Sequence, residues 1–295
     1  MKREEFTWIT GGDEGYLPMI KVLAKSLLEF SNYKLIVYGF NCDSNINLPN
    51  VINKRINYPL KQISQNNYES DLINKDYSIY FAKYLASLDS LNENFNNFAW
   101  IDGDAFATKN IDLSLQYLNN LKDYPLFMRY YHEEIHQWRD HNHSGIRLEG
   151  KYGSELSSIK NIPRNPNNKL IACGFYFYNK ESKYFFKKCL EWSRKLDKYS
   201  IKIYVDDNAF SEERVANNIL WEENKMLNLP ITWNNYYSSE DEIQVDSHFL
   251  KKGWDVMYDI PTKKILFIHG PDPSVLKKSS ENLNNAFEEY KNLLK

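Results

Sequence analysis

Short apolar runs alternate with amphipathic stretches along most of the chain, and this order predicts strands alternating with helices. Residues 6–10 predict a first strand, which a glycine-containing turn at 11–13 closes. Apolar residues then recur every three or four positions as far as Leu27, as they do on one face of a helix. A second strand is predicted at 34–40 and a third at 51–56. This strand–helix–strand opening favours a parallel sheet with helices on its faces.

The rest of the chain continues the same alternation. Helices are predicted at 77–91, 111–121, 183–196 and 212–224, and strands at 98–101, 125–130, 170–179, 233–237 and 264–268. A last helix carries Leu283, Phe287, Tyr290 and Leu294 on one stripe. Since no repeat or linker interrupts this order, the sequence predicts one α/β domain over 1–275, with a C-terminal helix at 276–295 packed on it.

Composition narrows the class of protein. The chain has 295 residues and 42% hydrophobic content, which is enough for a sizeable core. A net charge of −2 without a long basic block argues against a nucleic-acid partner. No apolar stretch reaches the roughly eighteen residues of a membrane span, and the N-terminus shows no signal-type apolar region. Three cysteines without metal-ligand spacing agree with a reducing compartment, so the cytosol is expected.

Two carboxylates, Asp102 and Asp104, stand where the strand at 98–101 ends. Residues two apart in a strand face the same side, so both side chains are expected to point into one small volume. Two anions that close repel each other unless one is protonated or a cation lies between them. Mg²⁺ or Mn²⁺ with oxygen ligands meets that need. For an isolated Asp-x-Asp, the alternative is a polar turn after a core strand.

Residues 131–168 form the least regular part of the sequence and contain four of the six histidines. His132 and His136 enclose the letters Glu-Glu-Ile, which is the spacing of a zinc motif. The apolar helix that such zinc sites need is missing, so zinc is the lesser alternative. An insertion of this length in a compact domain is more often a lid or a binding loop.

Four separated motifs follow one another in the order found in a known family. Lys83 lies in the helix before the Asp-x-Asp strand, and Gly174 lies in a later apolar strand that ends in Asn179. A helix then begins with the acidic pair at 212–213, and His269 ends the last strand. The chain therefore resembles the GT-A glycosyltransferases, which transfer sugars from nucleotide diphosphates, and most nearly their glycogenin and galactosyltransferase-like branch.

The sequence departs from that family at two positions. Lys83 stands where the family has arginine. In the final motif, His-x-x-Gly-x-x-Lys, only His269 holds its place, since Gly270 comes too early and Lys277 or Lys278 too late.

The resemblance implies a single Rossmann-like domain, with a mixed, mostly parallel sheet flanked by helices. It implies a metal-dependent hexosyltransferase that uses a UDP-sugar and an acceptor hydroxyl on a glycan or another molecule, with 131–168 on the acceptor side. The implied Mn²⁺ or Mg²⁺ ligands are Asp102, Asp104 and His269. The implied donor-binding residues are Thr10, Gly11, Asp13, Tyr16, Lys83, Asp102, Gly174 and Lys277. The implied residues at the reacting centre are Glu213, Glu212 and Asp207.

Other interpretations remain open at this point. An Asp-x-Asp strand also opens haloacid dehalogenase-like phosphatases, in which Asp102 would be the nucleophile. Those enzymes expect Ser or Thr at Phe106 and a motif near the N-terminus, and neither condition holds. A catalytically inactive sugar-nucleotide-binding module is the third alternative. Glu212 and Glu213 also have a purely structural interpretation, as acidic residues at the N-terminus of a helix, where the helix dipole favours them.

Overall fold

The computed structural model describes residues 5–58, 81–122, 126–130, 147–148, 171–199, 203–204, 216, 219, 226–229, 231–233, 243–270 and 280–295. Its strands are β1 (Phe6–Gly12), β2 (Lys34–Phe40), β3 (Val51–Ile56), β4 (Asn97–Ile101), β5 (Ala105–Ala107), β6 (Leu126–Tyr130), β7 (Arg147–Leu148), β8 (Ile171–Asn179), β9 (Ile203–Tyr204), β10 (Met226–Leu229), β11 (Ile231–Trp233), β12 (Asp255–Asp259) and β13 (Lys264–His269). Its helices are α1 (Leu17–Phe30), α2 (Ala82–Ser90), α3 (Lys183–Tyr199), α4 (Ile243–Lys251) and α5 (Ser280–Leu293), with 3₁₀ helices at Ile111–Lys122 and Lys180–Ser182.

The larger sheet has seven strands in the order β10-β6-β8-β4-β1-β2-β3. β1 lies parallel to β2 and β4, β2 lies parallel to β3, and β10 lies parallel to β6. β8 runs antiparallel to both of its neighbours. The predicted strand–helix–strand opening and the mixed, mostly parallel sheet are therefore confirmed.

Helices cover both faces of this sheet, which is why β1 is buried along its whole length. On one face, Ile9 of β1 belongs to a core cluster with Tyr84 of α2 and Phe186 of α3. On the other face, Trp8 belongs to a cluster with Leu23 of α1. Alternate residues of β1 thus face two cores, as strand geometry requires.

A second, antiparallel sheet has the order β11-β12-β13-β5. The sequence predicted β13, but it did not predict β12, α4 or the three-residue β5. β11 shares only Trp233 with the edge strand expected at 233–237, and residues 234–242 lie outside the described ranges. β5 has only three residues, which is too short to show alternation, and β12 is a short run between two aspartates.

The C-terminal helix α5 packs against this second sheet. The Phe106 ring of β5 lies 5.4 Å from the Phe287 ring and 5.8 Å from the Tyr290 ring, between centroids. Tyr290 also accepts a hydrogen bond from the backbone N–H of Lys109, at 3.1 Å. β5 therefore links the end of β4 to the C-terminal part of the chain.

Two predicted helices differ in detail. In the described ranges, the helix expected at 77–91 is represented by α2, and the one expected at 111–121 is a 3₁₀ helix. Across the described residues, no helix combines the length and the apolar character needed to cross a bilayer.

Candidate active site

The connection from β4 to β5 consists of Asp102, Gly103 and Asp104. Asp102 N–H donates to the Gly174 carbonyl at 2.9 Å, which continues the pairing of β4 with β8. Gly103 lies so close to Ile20 of α1 that a side chain there would overlap it. Asp104 lies in the turn beyond Asp102, so the strand alternation from which a shared direction was predicted does not extend to it.

The Asp102 carboxylate faces two donors. Lys83 Nζ lies 3.2 Å from its Oδ1 and 3.4 Å from its Oδ2. The indole Nε1 of Trp100 donates to Oδ1 at 2.7 Å. Because Trp100 and Asp102 are two residues apart at the end of β4, the indole N–H reaches the carboxylate from the same side. The negative charge of Asp102 is therefore balanced by Lys83, and the carboxylate is held in one orientation.

Lys83 is the second residue of α2 and its side chain is only 8% exposed. A position on a solvated helix face is thereby excluded. Burying an ammonium group is costly unless it is paired, so the Asp102 carboxylate is part of what stabilises Lys83 there. The pair joins the first turn of α2 to the end of β4.

A row of buried side-chain hydrogen bonds continues from Lys83 along the same helix and ties it to β8. They are Tyr84 to Cys173 at 3.3 Å, Ser87 to Tyr176 at 2.8 Å, and Ser90 to Tyr178 at 2.7 Å. Burial raises the pKa of Tyr176 and of Tyr178 well above the ordinary value, so both hydroxyls stay protonated. We call these three bonds the α2–β8 seam. It fixes the rotation of α2 and with it the position of Lys83.

Asp104 contacts a different partner. Its Oδ1 lies 3.0 Å from His269 Nε2, and the two side chains are 6% and 22% exposed. The antiparallel register of β5 and β13 sets His269 opposite Ala105, the residue after Asp104. The Gly270 N–H donates to the Asp104 carbonyl at 2.7 Å. Two residues far apart in sequence are thus joined by backbone pairing.

Gly174 lies beside Asp102 at an irregularity of β8. The pairing of β6 with β8 shifts register between Met128 and Arg129, where the partners change from Tyr176 to Ala172. A Cβ at Gly174 would lie 3.2 Å from Asp102 Oδ2. The glycine therefore gives the carboxylate room, in agreement with the bulge that a lone glycine in a strand favours.

The end of β1 forms the other side of the predicted donor site. Asp13 accepts from the Tyr16 N–H through Oδ1, at 3.3 Å, and so shapes the turn into α1. Tyr16 and Asp13 are half-buried. Thr10 is fully buried, and within the described residues its Oγ1 has no hydrogen-bond partner. Gly11 leaves no space for a side chain because the Phe40 ring lies against it.

Asp104 and His269 suit a divalent metal as two of its ligands. The 3.0 Å between Oδ1 and Nε2 matches the roughly 3 Å between neighbouring ligands of an octahedral ion with bonds of about 2.1 Å. Carboxylate oxygen and imidazole nitrogen are both ordinary ligands of first-row metals. In the part of the chain that the structure describes, no three His, Cys, Asp or Glu side chains are grouped to hold a metal. The expected set of Asp102, Asp104 and His269 is therefore brought together only as the pair Asp104–His269.

Several predicted site residues lie outside the described ranges. These are Glu212, Glu213, Asp207, Lys277 and most of the insertion at 131–168, including His132 and His136. Within the predicted helix 212–224, Ala216 and Ile219 are helical and buried. From the insertion, β7 pairs antiparallel with β9.

Sequence reasoning missed the contact of Trp100 with Asp102, because a tryptophan in an apolar strand is typical of a core. The one available signal was its position two residues before Asp102, on the same side of the strand end. It also missed the α2–β8 seam, whose serines and tyrosines are separated by a long stretch of sequence.

The chain was compared with known proteins by family, sequence and structure. Neither the comparison with protein-family models nor that with curated protein sequences gives a match. The structure is similar to that of the galactosyltransferase LgtC, solved in complex with donor and acceptor sugar analogues. That likeness has 12% identity and a TM-score of 0.54, and it covers 98% of this chain and 96% of that chain. An active-site mutant of LgtC matches with 13% identity over 96% of this chain and 95% of that chain, with a TM-score of 0.52.

At such low identity these likenesses establish the fold. The chain has the fold of the GT-A glycosyltransferases, as the order of its motifs predicted.

Proposed function

We propose that this protein is a metal-dependent glycosyltransferase. It moves a sugar, expected to be a hexose, from a UDP-sugar to a hydroxyl of a glycan or another acceptor. The observation that carries the proposal is the 3.0 Å contact of Asp104 with His269 at the end of β4, in the fold of a galactosyltransferase. Open α/β sheets bind ligands outside the carboxyl ends of their strands.

The charges around the turn suit a diphosphate leaving group. Negative charge grows on that group as the glycosidic bond breaks, and fixed positive charges that face it lower the barrier. A Mn²⁺ or Mg²⁺ ion held by Asp104 and His269 would supply Lewis-acid stabilisation of that charge. Lys83 adds an ammonium group whose position the α2–β8 seam sets, and Lys277 is the candidate for a further phosphate contact.

The family resemblance supplies the remaining donor-binding roles that we propose. Asp13 and Tyr16 lie just after the end of β1, where Asp13 binds the ribose and Tyr16 stacks on the base. Thr10 and Gly11 support this turn from the core. Asp102 accepts a hydrogen bond from a donor hydroxyl. Gly174, which has no side chain, lets the sugar approach that carboxylate.

Glu213 is proposed to act at the reacting centre, as a general base or as a carboxylate that orients the sugar. Glu212 and Asp207 are the alternatives for this role. We place the reaction in the cytosol, since Cys42, Cys173 and Cys189 are all free thiols. The fold gives the phosphatase alternative no support, and donor hydrolysis separates a working enzyme from an inactive binding module.

A thermal-shift panel tests the proposal. UDP-, GDP-, CMP- and TDP-sugars are each added with and without Mn²⁺, because ligands that bind the native state raise its melting temperature. We expect a shift with a UDP-sugar that depends on Mn²⁺ and is lost in Asp104→Asn, which keeps the shape but removes the charge. Glu288→Gln is the matched control, since this carboxylate on α5 is 57% exposed, and its shift should equal that of the parent. Equal shifts in Asp104→Asn and the parent would refute the metal assignment.

A further inference from the structure

The Asp102 carboxylate is already bound by two groups of the protein. Its Oδ1 receives the Trp100 N–H at 2.7 Å and the Lys83 ammonium at 3.2 Å. Its Oδ2 lies 3.4 Å from the same ammonium. A metal ion that ligated this carboxylate would have to compete with Lys83 for it, and the two cations would repel each other at short range.

The helix that carries Lys83 is held in place while the fold is intact. Lys83 lies 8% exposed at the start of α2, and the three bonds of the α2–β8 seam fix that helix against β8. The Trp100 ring is buried and stacks with Phe40 at 6.5 Å and with Tyr176 at 6.3 Å, both nearly parallel to it. The donors on Asp102 therefore belong to rigid elements.

The Asp104–His269 pair is held by other elements. Its geometry comes from the register of β5 and β13 and from the Gly270 N–H bond to the Asp104 carbonyl. Asp104 is 6% exposed at its side chain, whereas Asp102 is 31% exposed. The two carboxylates of the turn thus have separate supports and separate cationic or imidazole partners.

We infer that Asp102 is not a metal ligand in the donor-free protein, and that it is instead the counterion of Lys83, oriented by Trp100. Asp104 and His269 are then the metal ligands that the described residues supply, and Asp102 keeps its Oδ2 for a donor hydroxyl. The inference rests on the proposed function for the presence of a metal. It divides the paired carboxylates into one residue for the metal and one for Lys83.

A charge-balanced double variant separates the two roles. Lys83→Met combined with Asp102→Asn removes a positive and a negative charge together, and Asn still offers an oxygen to Trp100. We expect this variant to bind Mn²⁺, measured by EPR titration without donor, within about threefold of the parent. Asp104→Asn should bind at least tenfold more weakly, because changing even an outer-shell partner of a metal typically costs about 10- to 100-fold in affinity. A double variant that loses as much affinity as Asp104→Asn overturns the inference.

A measurement on the unmodified protein covers the case in which the double variant does not fold. Deuterium ESEEM of bound Mn²⁺ in D₂O counts its water ligands. With six positions in total, two protein ligands leave about four waters, whereas a third ligand from Asp102 leaves about three. Failure of the parent to bind Mn²⁺ also overturns the inference. A UDP-sugar thermal shift in that same protein would then leave the transferase function standing without this metal pair.

Discussion

Ser87 of α2 and Tyr176 of β8 share a hydrogen bond of 2.8 Å in the protein interior. Both residues are fully buried, so water does not replace either partner. The bond belongs to the seam that sets the rotation of α2, and Lys83 lies one helical turn before Ser87. A structural bond in the core thus determines where a charged group of the candidate site lies.

Replacing Ser87 by Ala should destabilise the protein by about 1–3 kcal/mol, because the buried Tyr176 hydroxyl loses its partner. Urea unfolding of Ser87→Ala, Tyr176→Phe and the double variant measures this. The double variant should lose less than the sum of the single variants, since it leaves neither group unsatisfied. Strict additivity of the two losses would show that the bond does not couple the residues.

Glu213→Gln should leave folding and donor affinity close to those of the parent while sugar transfer falls on the order of 10²- to 10⁴-fold, the usual loss when general acid–base help is removed. A capping role predicts the opposite result, with a stability loss of about 1 kcal/mol and normal turnover. Melting temperature and turnover of the variant distinguish the two. Glu222→Gln, near the other end of the same predicted helix, is the control. A stable, fully active Glu213→Gln enzyme would transfer the role to Glu212 or Asp207.

The contact of α4 with α5 should depend on pH through Glu289. Hydrogen bonds from Lys252 and His248 lower the pKa of Glu289 below its ordinary 4.5. A carboxylate whose pKa is lower in the folded state contributes stability above the unfolded pKa, and this contribution is lost as the pH falls through the folded value. Glu289→Gln should therefore cost stability at neutral pH and nothing in strong acid.

The expected loss at neutral pH is about 0.2–1 kcal/mol at low salt, since the Glu289 side chain is 44% exposed and solvent screens the pair. Urea unfolding from about pH 2 to pH 7 gives the profile. Glu288→Gln, which changes a more exposed carboxylate on the same helix, should have a smaller effect. A loss for Glu289→Gln that is the same at every pH would show that charge is not its cause.

The sequence predicted the strands that are buried on both faces, because β1, β2, β4 and β8 are mostly apolar runs. It did not predict the second sheet. β5 has three residues, and β12 is a short run between two aspartates, so neither carries a recognisable period. The pairing of β5 with β13 is a non-local contact that no local pattern encodes.

At the site, too, the sequence revealed what a local pattern encodes and missed the contacts between distant residues. Asp102 and Asp104 were visible because they are near neighbours after an apolar strand. Their separate partners, Lys83 and His269, follow from helix rotation and strand register, which single-sequence patterns do not reveal. The expectation of one shared volume came from extending strand geometry past Asp102 to Asp104, which lies in a turn. The family resemblance did give His269 a place beside Asp104.

The pairing of β5 with β13 sets the time at which the candidate site is completed. Asp104 is synthesised in the first half of the chain, whereas His269 follows near its end. The residues around Lys83 and Asp102 are synthesised before β13. The carboxylate–imidazole pair can form only once β13 has been synthesised, and its presence reports that β13 has paired with β5.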